Sequence, residues 1–373
     1  MIRPTTARID LAALQSNYRD IVGFLAQERP GVPPGVIAVL KANAYGHGSA
    51  QVGRALEEAG ADLLACADIE EGAALRAAGV RAEILVFGAL SVSDLDGLFD
   101  CELTPTISTP GAARAVEAAA ARYQRRLRYH LKIDTGMNRL GFRFDNLRHT
   151  LPDLLTSHHL QLDAVYTHFA TADDVESPVF EAQRVRFDRA IAELEAMGGR
   201  PRYRHAANSA ALLRDSRVWF DRVRPGLLLY GVVPPPLAST IALTPVMTLV
   251  SKVVAVKGMR TGEITGYGAR FTSEGPMTIA IVPAGYADGL DLRLAGRGSV
   301  LIRGRRARIV GSVCMDMLMA DVTGTDVSPG DEVVIIGAQD NERVDVREMA
   351  AAIGTIPWEI MCRLGLRIER IYD

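Results

Sequence analysis

Lysine is scarce in this chain. Of 42 basic side chains, only Lys41, Lys132, Lys252 and Lys257 are lysine, and the rest are arginine. A lysine amine can shed its proton and attack a carbonyl carbon, whereas a guanidinium stays protonated and is neither nucleophile nor base. Lys41 closes the apolar run 36–40 and opens the loop Ala42-Asn43-Ala44-Tyr45-Gly46-His47-Gly48. Further along, polar residues again follow apolar runs: Lys132 and Asp134 leading to Arg139, then His168, then His205-Ala206-Ala207-Asn208-Ser209, then Arg224-Pro225-Gly226. A lysine at such a position, with tyrosine, serine and glycine nearby, suits an aldehyde cofactor that carries a phosphate, because hydroxyls and glycine amides can receive the phosphate.

The elements that must position these groups read as strands. Residues 35–41, 62–67, 83–88, 103–108, 128–133, 162–169, 202–206 and 222–231 are short β-type runs. Between them lie segments such as QVGRALEEAG, IEEGAALRAAG, GAARAVEAAAARYQ and FEAQRVRFDRAIAELEAMG, whose apolar residues recur at three and four. Eight strands alternating with helices predict an α/β fold, a TIM-type (β/α)8 barrel, whose site lies at the C-terminal strand ends. After GVVPPPLAST the texture changes to strand-like runs (MTLVSKVVAVKG, MTIAIVP, SVLIRG, RARIVGSV, LMADVT, DEVVIIG) and one clear helix around DVREMAAAIG. The predicted domains are therefore a barrel over 1–240 and a mostly β C-terminal domain over 241–373.

Composition narrows the partner. With 48% apolar residues, 23% charged residues and a formal net charge of -2, the chain has neither a basic face for nucleic acid nor a membrane-binding bias. The opening MIRPTTARIDL lacks the basic and apolar stretches of a signal peptide, and no apolar window spans a bilayer, so a cytoplasmic protein is expected. Cys66, Cys101, Cys314 and Cys362 form no CxxC pair; no metal site or disulfide is expected, and most of the four are expected to be buried thiols. A small molecule is the expected partner.

The strings VLKANAYGHG, LKIDTGMNRLGF, THFATAD, HAANSAA, RPGLLLYG, TGYGARF, VPAGYADG and GSVCMDM, in this order, closely resemble the alanine racemases. The resemblance runs from ARIDLAAL near residue 10 to the last helix, and eight strings in register make it specific. It implies a barrel plus a β domain, and interconversion of L- and D-alanine on pyridoxal 5'-phosphate, supplying D-alanine for peptidoglycan or breaking it down. It implies that Lys41 holds the cofactor as a Schiff base and exchanges the Cα proton on one face, and that Tyr267 does so on the other. A phenol is ordinarily a poor base at neutral pH, so positive neighbours must favour its phenolate; His168, with Arg224 behind it, would form that chain. Arg224 would also face the pyridine nitrogen. Tyr45, Ser209 beside Asn208, and the amides of Gly226 and Leu227 would hold the phosphate. Arg139 would neutralise the substrate carboxylate or the cofactor phenolic oxygen, oriented by Lys132, either as a carbamate or as an unmodified lysine in a salt bridge. Met315 would bind the substrate carboxylate through its main chain, and Tyr286 and Asp173 would line the entrance. Because Tyr267 and Met315 reach the site of the other subunit in this family, a homodimer with composite sites is implied.

Two departures from the family pattern stand out. Where the family has tyrosine in its TIxYE string, this chain has Trp358, which either reaches the phosphate through its single N–H or only packs. After GYADG, Leu290-Asp291-Leu292-Arg293 replaces the usual corridor residues. Serine or a broader range of substrates therefore stays open beside alanine, since one extra atom is discriminated by only about 1–3 kcal/mol. A decarboxylase of basic amino acids shares the plan, but would be expected to use a cysteine-centred site and an acidic partner for the pyridine nitrogen. A non-catalytic pyridoxal-phosphate carrier would need the lysine but no opposed tyrosine.

Overall fold

The computed structural model describes residues 4–90 and 94–373; Met1 to Arg3, the start of the stretch read for a leader, lie outside them. The chain falls into two compact units, one formed by residues 14–44 and 49–243, the other by 1–13, 45–48 and 244–373.

In the first unit every expected strand is present. Thr104–Ile107, Glu83–Val86, Leu63–Cys66, Gly35–Val39, Arg222–Arg224, Tyr203–Asn208, Leu160–Tyr166 and Leu127–Asp134 pair side by side in parallel. Thr106 and Ile107 then pair with His130 and Leu131, which closes the barrel. Burial on both faces explains why these runs are almost continuously apolar. Helices cover the outside, and their start residues act as caps: Asp68 accepts from the Glu71 N–H and Thr109 from the Ala112 N–H. The helix Val179–Ala196 turns Phe180, Phe187, Ile191 and Leu194 inward, each worth about 1.5–3 kcal/mol of burial. One expectation is corrected here. The last strand stops at Arg224 instead of running to 231, because Pro225 has no N–H for a ladder and Leu227–Tyr230 coils into a 3-10 turn.

The second unit is an open sheet in the order Ala255–Met259, Met277–Val282, Leu318–Asp321, Arg305–Val310, Ser299–Ile302, Glu332–Gln339, Met247–Lys252, Thr6–Ile9, Glu369–Tyr372. The run expected as one strand over 247–258 is two, because it changes neighbours: Met247–Lys252 pairs with Glu332–Gln339, while Ala255–Met259 pairs with Met277–Val282. Thr6–Ile9, which the sequence reading counts with the barrel, is an inner strand here, antiparallel to Met247–Lys252 and parallel to Glu369–Tyr372. The helix Val346–Ile353 appears as expected, ended by Gly354 at φ 68. A second, short helix, Pro357–Cys362, was not anticipated. Of the four cysteines only Cys66 is buried; Cys362 is exposed.

No helix among the described residues is long and apolar enough to cross a membrane, and no cluster of metal-ligating side chains occurs among them.

Candidate active site

Arg224 is the hub of the barrel interior. It is 3% exposed, and its donors go only to neutral acceptors: the carbonyls of Thr167 and Ala206 at 2.9 Å each, His205 Nδ1 at 2.9 Å and His168 Nδ1 at 3.2 Å. Burial pushes its guanidinium down to about 10, opposed by Tyr166, whose ring lies 5.3 Å below it. It is still protonated near neutrality, a cation with no carboxylate among its bonds.

A guanidinium only donates, so it dictates the tautomers behind it. His205 must accept at Nδ1 and therefore carries its proton on Nε2, which it gives to His130 Nδ1 at 3.1 Å. His130 in turn donates from Nε2 to the Tyr203 oxygen at 2.7 Å. Burial and the surrounding arginines push His130 down to about 3 and hold His205 and His168 well below the usual histidine value, so all three are neutral. His168, accepting from Arg224 at Nδ1, keeps its Nε2–H to donate elsewhere.

Lys132, in the fifth barrel strand, is 6% exposed with Nζ 5.5 Å from the Tyr166 ring centre. Burial, then the charges of Arg139, Arg224 and Lys41, push its ammonium down to about 8, with Asp134 opposing. Lys41, Lys132, Arg139 and Arg224 thus form one positive neighbourhood at the strand ends. Two carboxylates beside it are held by backbone amides. Asp134 Oδ1 accepts from the N–H groups of Gly136, Met137 and Asn138 at 2.9, 3.0 and 3.1 Å, shaping the loop that presents Arg139. Glu71 does the same beside Lys41: its Oε1 accepts from Ala42 N–H at 2.7 Å and its Oε2 from Ala67 N–H at 2.8 Å.

Asn208 caps the helix Ser209–Arg214 by accepting from Ala211 N–H at 2.9 Å, so its amide oxygen is already engaged. Ser209 Oγ accepts from Gly226 N–H at 2.9 Å, tying the ends of the seventh and eighth strands together; the hydroxyl hydrogen remains for an anion. Leu227 is buried at the start of the 3-10 turn. Gln183 was missed by the sequence reading. Fully buried on the helix Val179–Ala196, it donates to the His168 carbonyl at 3.0 Å and accepts from Ala170 N–H at 2.9 Å, fixing the loop that carries His168. His130 and Tyr203 were missed too. Each looks like a core residue of an apolar strand, and only the pairing of neighbouring strands reveals the chain they form.

Of the remaining predicted site residues, Asp173 belongs to the barrel unit, and Tyr45, Tyr267, Tyr286, Met315 and Trp358 belong to the β unit. Tyr267 is 79% exposed on a short turn between Gly266 and Gly268, both at positive φ, and its carbonyl accepts from Ser312 Oγ at 2.6 Å. Met315 is 52% exposed and its carbonyl accepts from Ala287 N–H at 3.0 Å; the Tyr286 N–H donates to the Cys314 carbonyl at 3.0 Å. Gly285 permits that approach, since a Cβ there would lie 2.3 Å from both carbonyl oxygens. Tyr267 and Met315 line one open groove of about 970 Å³ with Ile264, Cys314 and Met317. Tyr45 is half-buried; burial, then Cys362, raises its phenol above the ordinary value, so it is a protonated donor. Trp358 is half-buried in Pro357–Cys362.

A closed parallel barrel that gathers a lysine and buried cations at its strand ends, with a β unit that exposes a tyrosine, defines a class of barrel enzymes built to receive anions. Residues 9–234 match the model of the alanine racemase N-terminal domain, and residues 246–372 that of the alanine racemase C-terminal domain. The whole chain is 40% identical to an alanine racemase of Carboxydothermus hydrogenoformans, covering 100% of it, and 39% identical to one of Symbiobacterium thermophilum, covering 97%. It superposes on the alanine racemase of a D-cycloserine-producing Streptomyces lavendulae with a TM-score of 0.95 at 34% identity, covering 100% of this chain and 98% of that one. For the alanine racemase of Bacillus anthracis with bound L-Ala-P the TM-score is 0.91 at 33% identity, covering 100% and 96%. The chain belongs to the alanine racemase family.

Proposed function

We propose that this chain is an isomerase that interconverts L- and D-alanine with pyridoxal phosphate as cofactor, Lys41 and Tyr267 exchanging the Cα proton on opposite faces. The observation that carries this reading is the positive neighbourhood of Lys41, Lys132, Arg139 and Arg224, in which the bonds of the buried Arg224 run to neutral acceptors. A cofactor phosphate and phenolic oxygen, together with a substrate carboxylate, are anions of the number and kind that such a site needs. The donor chemistry fits: Ser209 offers a hydroxyl hydrogen, Tyr45 a protonated phenol, and the Gly226 and Leu227 region closes the same strand ends. Trp358 would add an indole N–H. Pyridoxal phosphate, when bound, supplies an electron-withdrawing ring conjugated with the substrate nitrogen, which makes the Cα proton acidic.

The chain's own residues divide the remaining work. Lys41 holds the cofactor and moves a proton at Nζ. Tyr267 moves a proton at its phenolic oxygen, where the neutral His168 can donate its Nε2–H. Arg224 can donate a hydrogen bond to a ring nitrogen without giving up its proton, which limits how much charge the ring draws. Arg139 and the Met315 main chain hold the substrate carboxylate, and Tyr286 restricts the space beyond a methyl group. Lys132, driven toward the neutral amine that reacts with carbon dioxide, is suited to carbamylation; the carbamate would orient Arg139. The β unit of a second copy supplies Tyr267 and Met315. A tyrosine 79% exposed on an apolar rim with Ile264 and Met317 supports such a homodimer.

The test is α-deuterium exchange and optical rotation for purified protein with pyridoxal phosphate, offered L-alanine, L-serine and L-lysine separately. Fastest racemisation and exchange with alanine is expected. Carbon dioxide release from lysine would replace the reading with a decarboxylase, and bound cofactor without exchange would replace it with a carrier.

A further inference from the structure

Immediately after Lys41 the backbone does something costly. Ala42, Asn43, Ala44 and Tyr45 hold φ of 55, 52, 55 and 53, a left-handed turn built without glycine. L-residues disfavour this region one by one, and only asparagine among these four tolerates it readily. Ala44 N–H closes the turn on the Leu40 carbonyl at 2.6 Å, but the first amides of any helical turn have no partner within it. Glu71 supplies that partner. Its Oε1 accepts from Ala42 N–H at 2.7 Å and Asn43 N–H at 3.4 Å, and its Oε2 accepts from Ala67 N–H at 2.8 Å at the end of the second barrel strand. Glu71 is itself fixed, since its own N–H donates to Asp68 Oδ1 at 2.8 Å in the cap of the helix Ile69–Ala77. On the far side, Asn43 Oδ1 accepts from Ser49 N–H at 2.8 Å, so both ends of the turn are tied down.

We propose that Glu71 is a positioning residue for Lys41: by capping the left-handed turn with a carboxylate anchored on the neighbouring strand, it sets the direction in which the lysine side chain leaves the barrel. The proposal rests on the reading of Lys41 as the cofactor lysine. The geometry favours a specific role over a merely helical one, because an acidic residue in a first helical turn would serve its own helix, whereas both oxygens of Glu71 face amides outside it. An amide in its place could accept at one oxygen only and would present N–H to N–H at the other contact.

The test compares wild type, Glu71→Ala and Glu71→Gln as purified holoproteins with pyridoxal phosphate. Three quantities are read: amide exchange of the peptide covering 42–49, the fraction of cofactor fixed to Lys41 by borohydride reduction, and kcat and KM for L-alanine. Loss of the cap is expected to speed exchange of this peptide by about tenfold or more, and to lower the fixed fraction and kcat, with KM within about threefold. Glu71→Gln is expected to move in the same direction by less, and because it keeps volume and one acceptor it decides the matter should the alanine variant not fold. Exchange and lysine fixation at wild-type levels in a folded variant overturn the role of Glu71. Absence of fixation at Lys41 in the wild type instead overturns the reading of the lysine, and the exchange measurement keeps the two failures apart.

Discussion

A cation sealed from water and ringed by neutral acceptors orders everything it touches. Arg224 fixes the tautomers of His168 and His205, and through His205 that of His130 and the acceptor role of Tyr203. Tyr203→Phe should therefore strand the His130 Nε2–H and cost about 1–3 kcal/mol, read as a lower urea midpoint with the slope unchanged. Tyr267→Phe tests the chemistry instead: cofactor should stay bound while turnover falls about 10²–10⁴-fold in both directions, so near-wild-type kcat would remove this phenol from the mechanism. Lys132 gives a pH signature. Its folded value, lowered to about 8 against 10.5, means that the unfolded chain binds more protons between those pH values, so stability contributed through this group rises with pH across that window and is flat below it. In bicarbonate-free buffer the stability gap between Lys132→Met and wild type should change by about 2–3 kcal/mol from pH 7.5 to 10.5, with the wild type gaining. Residues with unusual chemistry at strand ends, such as Lys41, His168 and Arg224, were legible in the sequence. His130, Tyr203 and Gln183 were not, because an interior polar residue declares its role only through a partner on another strand or helix.

Elements were legible where one pattern decided them and obscure where a partner did. The eight barrel strands stood out because burial on both faces makes them apolar throughout. Nothing in Ala-Asn-Ala-Tyr announces a left-handed turn, since the carboxylate that caps it arrives from a helix beginning at Ile69. Likewise, a run such as 247–258 gives no sign that it changes neighbours halfway. The helix Val179–Ala196 combines both kinds of information: its apolar face is periodic, yet its Gln183 holds the loop after the sixth strand. Gln183→Leu keeps the volume but abandons the Ala170 N–H and the His168 carbonyl. We expect a loss of about 2–4 kcal/mol in chemical denaturation, and a fall in kcat larger than any rise in KM, because His168 loses its support. A drop in stability without that kinetic change would mean the loop holds itself.

At the scale of the whole molecule, the proposed homodimer makes a quantitative demand. If each site takes Lys41 from one copy and Tyr267 from the other, mixing inactive Lys41→Ala and Tyr267→Phe proteins under subunit exchange rebuilds one intact site per mixed dimer, so activity should return to about one quarter of wild type. No recovery on mixing would place both residues in one copy's site. The family strings foretold both units, but not that the first strand belongs with the last. Thr6–Ile9 lies between Met247–Lys252 and Glu369–Tyr372, so two neighbouring strands of the sheet, Thr6–Ile9 and Glu369–Tyr372, come from opposite ends of the sequence. Synthesis proceeds from the N-terminus, and the strand made first must wait for roughly 240 further residues, about 12–50 s at 5–20 residues per second, before its first neighbour leaves the ribosome. Its second neighbour, Glu369–Tyr372, is made later still. Throughout that interval the barrel can close while the earliest strand of the chain stays an open edge, a natural foothold for a chaperone.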